Sequence, residues 1–160
     1  MKRFAIIMAL VAMTVGAFAQ APAKRSIASV EEGDNKVEVF AYDHEDGTRG
    51  YYIGLPSDTF LLLGSNVNDA VTAMKQVLAL FDAPVGDYRK YVAYGGTSKQ
   101  LSDEAGTATV FVEKKGVAKK TQLRISFKCD GNSNVSTMQK STAKNLLKFL
   151  TGYQKRHPDR

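Results

Sequence analysis

The first third of the chain shows the alternating pattern of a half-buried sheet. Apolar and polar residues alternate over residues 36–42, which predicts a strand with one buried face. The dipeptide Asp46-Gly47 is a turn signal, and it precedes a second β-rich segment at residues 51–55. Together these two segments predict a hairpin. A short apolar run at residues 59–63 predicts a third strand.

After residue 65 the apolar spacing changes to that of an amphipathic helix. Its apolar stripe consists of Val67, Val71, Met74, Leu78 and Phe81. Asn66 is a suitable N-cap residue, and the carboxylate of Asp69 is favourable in the first helical turn. The segment Ala83-Pro84-Val85-Gly86 predicts the end of this helix, because neither proline nor glycine continues a helix well.

The second half of the chain again shows strands followed by a helix. Residues 88–94 are predicted to form a strand, and residues 95–106 a polar loop. The clearest hairpin follows, with strands at 107–113 and 121–128 around a lysine-rich tip. A second amphipathic helix is predicted over residues 135–153. Its inward side chains are expected to be Val135, Met138, Leu146, Phe149 and Tyr153.

The predicted element order is therefore three strands, a helix, three strands and a helix. An antiparallel sheet with one apolar face needs a cover, and two amphipathic helices supply one. We therefore predict an α+β fold, a two-layer sandwich in which a mostly antiparallel sheet of about six strands is covered on one face by two helices. The order βββα-βββα and the Ser-Asn-Val triplets at residues 65–67 and 133–135 raise an internal duplication as one explanation. Helix capping by these residues is the other explanation.

The N-terminus has the three parts of a cleavable export signal. Lys2 and Arg3 form a positive region, residues 4–15 are mostly apolar, and Ala17-Phe18-Ala19 places small residues at the cleavage positions. The apolar segment is shorter than the roughly 20 residues that a membrane-spanning helix needs. We expect cleavage near Ala19 and a location in the periplasm or outside the cell.

The predicted organisation has four parts. These are a signal peptide (1–19), a flexible leader (20–35), a single globular α+β domain (36–155) and a disordered tail (156–160). Removal of the signal leaves 141 residues, enough for a hydrophobic core without covalent staples. The single cysteine, Cys129, excludes an intrachain disulfide. It continues the alternation of Leu123, Ile125 and Phe127, which predicts an inert, buried thiol.

Charge is unevenly divided along the chain. The whole sequence carries a formal charge of +6. Residues 20–113 hold 8 basic and 14 acidic side chains, whereas residues 114–160 hold 12 basic and 2 acidic side chains. Such an asymmetry favours either an anionic partner for the basic part or association between oppositely charged parts of two copies.

Few residues of this chain are suited to catalysis. His44 and His157 are the only histidines, there is no G-x-S-x-G elbow, and we predict no catalytic residue, metal ligand or cofactor. The acidic turn at residues 43–47 lacks the spacing of a calcium loop, and the segment at residues 95–99 lacks the order of a phosphate-binding loop. A carboxylate pair acting on a glycosidic bond stays open, because its geometry is spatial.

Two features favour binding over catalysis. The candidate anion-binding residues are the lysines of the hairpin tip, two cations on the solvated face behind it and a lysine stripe on the second helix: Lys114, Lys115, Lys119, Lys120, Arg124, Lys128, Lys140, Lys144 and Lys148. A solvated lysine-rich surface that protects a hairpin from aggregation is the alternative. The second feature is the alternation of aromatic and basic residues over 88–94, although its tyrosines divide between the two faces of a strand.

These observations lead to three hypotheses. The first is an exported, non-enzymatic binding or interaction domain for an anionic polysaccharide, a lipid head group or an acidic protein surface. The second is homotypic assembly as a structural protein of the envelope, with the acidic part of one copy docked on the basic part of another. The third is a small secreted hydrolase that uses a carboxylate pair.

Overall fold

The computed structural model of the protein describes residues 21–97 and 99–158, and for Asn132 it describes the backbone only. The predicted signal peptide, residues 1–19, lies outside these residues.

Eight strands and two helices make up the fold. In chain order they are β1 (Ala23–Glu32), β2 (Asn35–Asp43), β3 (Arg49–Leu55), β4 (Thr59–Gly64), α1 (Val67–Leu80), β5 (Tyr88–Gly96), β6 (Leu101–Lys115), β7 (Lys120–Cys129), β8 (Asn132–Gln139) and α2 (Lys140–Arg156). The strands form one antiparallel sheet in which sequence order is also spatial order. The predicted α+β class, with an antiparallel sheet and two helices, is confirmed. The sheet has eight strands rather than about six, and the order is ββββα twice.

The two ββββα halves meet at a narrow seam in the sheet. Strands β4 and β5 share two register pairs, Phe60 with Tyr94 and Leu61 with Ala93. The helices also contact each other, and the Gln154 amide nitrogen donates to Asn68 Oδ1 at 2.7 Å. The seam therefore separates a first half-sheet, β1–β4, from a second half-sheet, β5–β8.

Both helices pack against the same face of the sheet. The principal core consists of inward side chains of the strands together with the buried stripes of α1 and α2, including Val39, Ile53, Val110, Leu123, Met74, Leu146 and Leu150. At the start of α1 the predicted cap is present, because Asn66 Oδ1 accepts a hydrogen bond from the Asp69 backbone N–H at 2.9 Å. Burial of these apolar stripes supplies most of the stability of the helices.

The predicted flexible leader is wrong over most of its length, because residues 23–32 form the edge strand β1. Ile27, Ala28 and Val30 pack against the principal core. The register with β2 shifts between Ser26 and Ala28, so Ile27 sits at a β-bulge. The bulge interrupts the period of two, which is why the sequence pattern did not indicate a strand.

The predicted helix over 135–153 is wrong at both ends. Residues 132–139 form strand β8, and α2 extends from Lys140 to Arg156. The Asn134 amide donates to the Ser57 carbonyl oxygen at 3.0 Å and the Ser136 hydroxyl to the Pro56 carbonyl oxygen at 2.5 Å, so contacts distant in sequence hold this strand. The Ser-Asn-Val triplet at 133–135 therefore lies inside a strand and does not open a helix.

Two smaller predictions also need correction. The polar loop predicted at 95–106 is a hairpin turn, and β6 already begins at Leu101. A Cβ atom at Gly96, whose φ is +108°, would lie 2.5 Å from the Gln100 carbonyl oxygen, so this tight turn requires glycine. At the C-terminus the disordered tail predicted from residue 156 is wrong at its first two residues, because Arg156 ends α2 and the His157 ring packs 4.5 Å from that of Tyr153.

Neither helix of the described residues is long and apolar enough to cross a membrane.

Candidate functional site

The outward side chains of the second half-sheet form a regular grid on the face opposite the helices. We call this grid the open face, and it consists of Tyr88, Lys90, Val92, Thr107, Thr109, Phe111, Arg124, Ser126, Lys128, Ser133, Val135 and Thr137. Strand pairing arranges these residues in three rows. The first row is Tyr88, Phe111, Arg124 and Thr137, the middle row is Lys90, Thr109, Ser126 and Val135, and the third row is Val92, Thr107, Lys128 and Ser133. Because side chains alternate between the faces of a sheet, all twelve point away from the core.

Four large hydrophobic side chains of the open face are exposed to solvent. The exposed fractions are 57% for Tyr88, 47% for Val92, 36% for Phe111 and 44% for Val135. The rings of Tyr88 and Phe111 lie 5.8 Å apart in a tilted arrangement. Single exposed apolar residues such as Val92 and Val135 are common on protein surfaces, whereas the adjacent rings of Tyr88 and Phe111 form a small contiguous apolar patch.

The open face carries cations and no acidic side chain in its three rows. Lys90 lies in the middle row, Arg124 in the first and Lys128 in the third. All three side chains are exposed. None of them belongs to the ion pairs found within residues 21–97 and 99–158. Strand geometry places their Cα atoms about 12–14 Å apart.

The four lysines of the predicted hairpin tip lie together at the end of β6 and β7. Lys115 pairs directly with Lys120, and Lys114 and Lys119 flank this pair. All four side chains are exposed. Strand β7 then continues from the tip to Arg124 and Lys128, so the structure joins these six predicted residues along one hairpin.

The predicted lysines of α2 divide between two environments. Lys140 Nζ lies 2.5 Å from Asp82 Oδ1, and together with Lys115 and Lys120 it lines a cavity of about 600 Å³. Lys144 and Lys148 are exposed on α2, which covers the other face of the sheet. These two lysines therefore cannot reach the same flat ligand as Arg124 and Lys128.

Of the twelve members of the open face, only Arg124 and Lys128 are among the predicted anion-binding residues, and three of the others show why. Lys90 belongs to the aromatic and basic segment at 88–94, but its neighbours on the other three strands cannot be read from the sequence. Val135 was assigned to a helix. Phe111 was not singled out, although its position between Val110 and Val112 in an alternating strand places it on the outward face.

A separate group of possible metal ligands lies at the C-terminal end of β7. Within the described residues it is the one group of three such side chains, and it consists of Glu104, Cys129 and Asp130 with ligand atoms within 4.8 Å of one another. Asp130 raises the pKa of Glu104 through a side-chain hydrogen bond and its charge. These two carboxyl groups are the close pair that the hydrolase hypothesis would use, but both are exposed.

Cys129 is half-buried at the edge of the principal core rather than fully buried. Partial burial raises the pKa of its thiol, and the charges of Asp130 and Glu104 raise it further. Because the thiolate is the reactive form, a raised pKa lowers its population, and an unreactive Cys129 stays a prediction.

Comparison of the chain with protein-family models, curated proteins and solved structures finds no match.

Proposed function

We propose that the protein is an exported, non-enzymatic binding domain and that its open face binds an anionic polysaccharide. The observation that carries this proposal is the grid itself: three cations that belong to none of the ion pairs of the described residues, in rows without an acidic side chain, placed among exposed rings and hydroxyl groups on an uncovered sheet face. The nearest carboxylates on this face, Glu113 and Asp130, lie in the rows beyond Arg124 and Lys128. Export stays a prediction from residues 1–19.

The spacing of the cations favours a ligand with repeated charges. Lys90, Arg124 and Lys128 stand in three different rows, about 12–14 Å apart at Cα. One carboxylate or one phosphate would be contacted by only part of this set. A chain that carries an anionic group on successive units can contact all three side chains at once, which favours a polymer over a single lipid head group.

The residues between the cations favour a carbohydrate. Thr107, Thr109 and Ser126 present hydroxyl groups beside Lys90 and Lys128, and these residues line a shallow depression of about 380 Å³ together with Phe111. Hydroxyl groups can donate to and accept from sugar hydroxyls, and exposed aromatic rings pack on sugar faces. An acidic protein surface would use the cations but would leave these hydroxyl groups without a specific role.

Affinity chromatography on heparin beside a cation exchanger of matched charge density tests the proposal. The test variant carries Lys90→Gln, Arg124→Gln and Lys128→Gln. The control variant carries Lys75→Gln, Lys144→Gln and Lys148→Gln, which removes the same charge from exposed positions on the helices. We expect the wild type and the control to elute from heparin at clearly higher salt than from the exchanger. The test variant should lose this difference.

Two results would contradict the proposal. If both triple variants shift equally, heparin is measuring net charge and the open face has no organised site. If reversal of Lys114, Lys115, Lys119 and Lys120 to glutamate abolishes retention while the open-face variant does not, the hairpin tip is the site instead. Tighter retention on single-stranded DNA than on heparin would assign the ligand to nucleic acids.

Homotypic assembly is the second candidate, supported by the separation of charge between the two half-sheets. The cations of the open face and the hairpin tip belong to β5–β8. Glu45 and Asp46, in the β2–β3 turn of the first half-sheet, contribute carboxylates to a cavity on this side of the sheet. Light scattering in low and high salt tests this candidate, because an electrostatic assembly should dissociate as salt rises. A monomer in both conditions would exclude it.

A further inference from the structure

A cavity of about 370 Å³ opens at the other end of the outward sheet face. It lies between the β2–β3 turn, residues 44–48, and the turn that joins β5 to β6. Its floor adjoins a second hydrophobic cluster, on the side of the sheet opposite the helices, that contains Phe40, Tyr42, Tyr52, Phe60 and Leu101. This cavity shares no residue with the open face.

Three aromatic rings line the cavity and hold one another in place. The ring of Tyr42 lies 4.9 Å from that of His44, and the ring of Tyr94 lies 6.5 Å from that of His44. His44 Nε2 is 2.8 Å from the hydroxyl oxygen of the buried Tyr52, and this hydrogen bond fixes the imidazole. The rings are therefore preorganised rather than freely rotating.

The charged groups that line the cavity are acidic. Glu45, Asp46 and Asp103 contribute carboxylates, and no lysine or arginine is among the described lining residues. The Thr48 hydroxyl and backbone N–H donate to Asp46 Oδ1 at 2.6 and 2.9 Å. These hydrogen bonds lower the pKa of Asp46, so it stays ionised at neutral pH.

The carboxylates of the cavity do not form a group of three convergent metal ligands within the described residues. Within the described residues, only Glu104, Cys129 and Asp130 bring three possible ligand atoms within 4.8 Å of one another. A metal ion needs convergent ligands at short distance, whereas an organic cation is bound by ring faces and by carboxylates at a greater distance. The cavity presents the second arrangement.

We propose that this cavity binds an organic ammonium group, with the half-buried ring of Tyr94 against the cation and Asp46 and Asp103 supplying opposite charge. Tyr42, which is 3% exposed, and His44 form the wall behind it. The proposal does not depend on polysaccharide binding, because it concerns a ligand of opposite charge at a different place in the sheet. The source of the group is either a small quaternary or primary amine or a lysine side chain of a partner.

A titration of the purified protein followed by NMR tests the proposal with a charged ligand and its neutral isostere. The ligands are choline and 3,3-dimethylbutan-1-ol, which have the same shape and differ in charge. We expect choline to shift the ring resonances of Tyr42, His44 and Tyr94, and to bind roughly tenfold more tightly than the alcohol. Equal binding of the two ligands, or shifts elsewhere in the protein, would overturn the proposal.

Two variants and a matched control locate the site. Tyr94→Leu removes one ring, and Asp103→Asn removes one carboxylate at an exposed position that does not contribute to the core. The control is Glu104→Gln, which removes the same charge from the neighbouring residue, outside the lining. We expect both test variants to weaken choline binding several-fold and the control to leave it unchanged. An equal effect of Asp103→Asn and Glu104→Gln would refute a specific site.

Further titrations distinguish the source of the cation. Tighter binding of choline than of Nα-acetyl-lysinamide supports a small quaternary ligand, and the reverse order supports a lysine side chain of a partner. Calcium chloride is the remaining probe. Binding of Ca²⁺ that excludes choline and is unchanged by Tyr94→Leu would show a carboxylate site for metal and would contradict the proposal.

Discussion

On the outward face of the sheet, aromatic side chains are buried in the first half-sheet and exposed in the second. In the first half-sheet Phe40 and Tyr52 point outward yet are 0% and 1% exposed. In the second half-sheet Tyr88 and Phe111 point outward and remain open to solvent. The strand order and pairing are the same in both halves, so the difference arises from the side chains that neighbour the rings.

Glycine next to an aromatic residue explains the packed half. On β3 the outward positions are Gly50, Tyr52 and Gly54. The ring of Tyr52 therefore has no side chain next to it on its own strand. The ring of Phe40 lies over Gly54 and stacks on Tyr52 at 5.6 Å. The open face contains no glycine among its twelve positions, and the neighbours of its rings along the strands and across them include threonines and cations. Outward aromatics are therefore buried in one half and available for binding in the other.

The largest expected effect is a difference in stability between matched Phe→Ala substitutions in the two halves. Phe40→Ala should lower the free energy of unfolding by about 3–5 kcal/mol, because the ring is fully buried and leaves a cavity. Phe111→Ala should cost less than about 1 kcal/mol, because its ring is already partly solvated. Urea unfolding followed by circular dichroism measures both values.

Equal costs for the two substitutions would mean that a ligand, a partner or another part of the chain covers the open face in solution. Tyr88→Ala provides the control for ring loss on the open face. It should match Phe111→Ala, since both rings belong to the same exposed row.

A smaller effect is expected from adding one methyl group beside Tyr52. A Cβ atom at Gly50 would lie 2.5 Å from the Tyr52 ring, which cannot move freely because it is buried and hydrogen-bonded to His44. Gly50→Ala should therefore cost about 1–3 kcal/mol. At Gly95 the nearest atom to a Cβ would be 3.6 Å away, so Gly95→Ala should change stability by less than about 0.5 kcal/mol. A tolerated Gly50→Ala in thermal melts would show that the tyrosine ring is not fixed.

The fold was predictable wherever one strong period dominates the sequence. Strands β2, β3, β4 and β7 and helix α1 follow from alternation or from the helical stripe, and Asn66 marks the start of α1 correctly. Strand β1 was missed because the bulge at Ile27 breaks its alternation. Strand β8 was missed because its apolar content is low and distant carbonyl groups of Pro56 and Ser57 fix its position.

The candidate site was predictable only in part, for a related reason. Periodicity places Arg124 and Lys128 on the solvated face of one strand, and the structure does so too. The partners of these residues on β5 and β8 depend on the register of four strands. No local pattern encodes that register, and the missed strand β8 removed Val135 from consideration. The cavity near His44 depends on two turns that are over 50 residues apart.

Ion pairs between strands show the same contrast between the halves. Arg25 on β1 and Arg49 on β3 both contact Asp43 on β2, at 2.6 and 2.5 Å, and Lys24 pairs with Glu38. Within the described residues, none of the ion pairs joins two strands of the second half-sheet. The cations of these pairs in the first half-sheet are thus bound to carboxylates of neighbouring strands, whereas the cations of the open face are available to a ligand.

The smallest predicted effect concerns the Asp43 cluster and depends on pH. The guanidinium groups of Arg49 and Arg25 lower the pKa of Asp43 from 3.8 to about 2. A lowered pKa adds stability above the value of the unfolded chain, and this contribution is lost as the pH falls from about 4 to about 2. Asp43→Asn should therefore reduce stability by about 1 kcal/mol at pH 7. In thermal melts across this range, the difference from the wild type should shrink below pH 4, be small near pH 2 and vanish below pH 2.

The matched control for Asp43 is Asp82→Asn, which breaks the exposed pair with Lys140 outside the sheet. Its effect at pH 7 should be within about 0.5 kcal/mol, because solvent screens an exposed pair. If the cost of Asp43→Asn stays constant from pH 7 to pH 2, Asp43 acts through shape and hydrogen bonding that asparagine cannot reproduce rather than through charge. In that case the ion pairs would not distinguish the first half-sheet from the second, and aromatic packing against glycine alone would account for the difference.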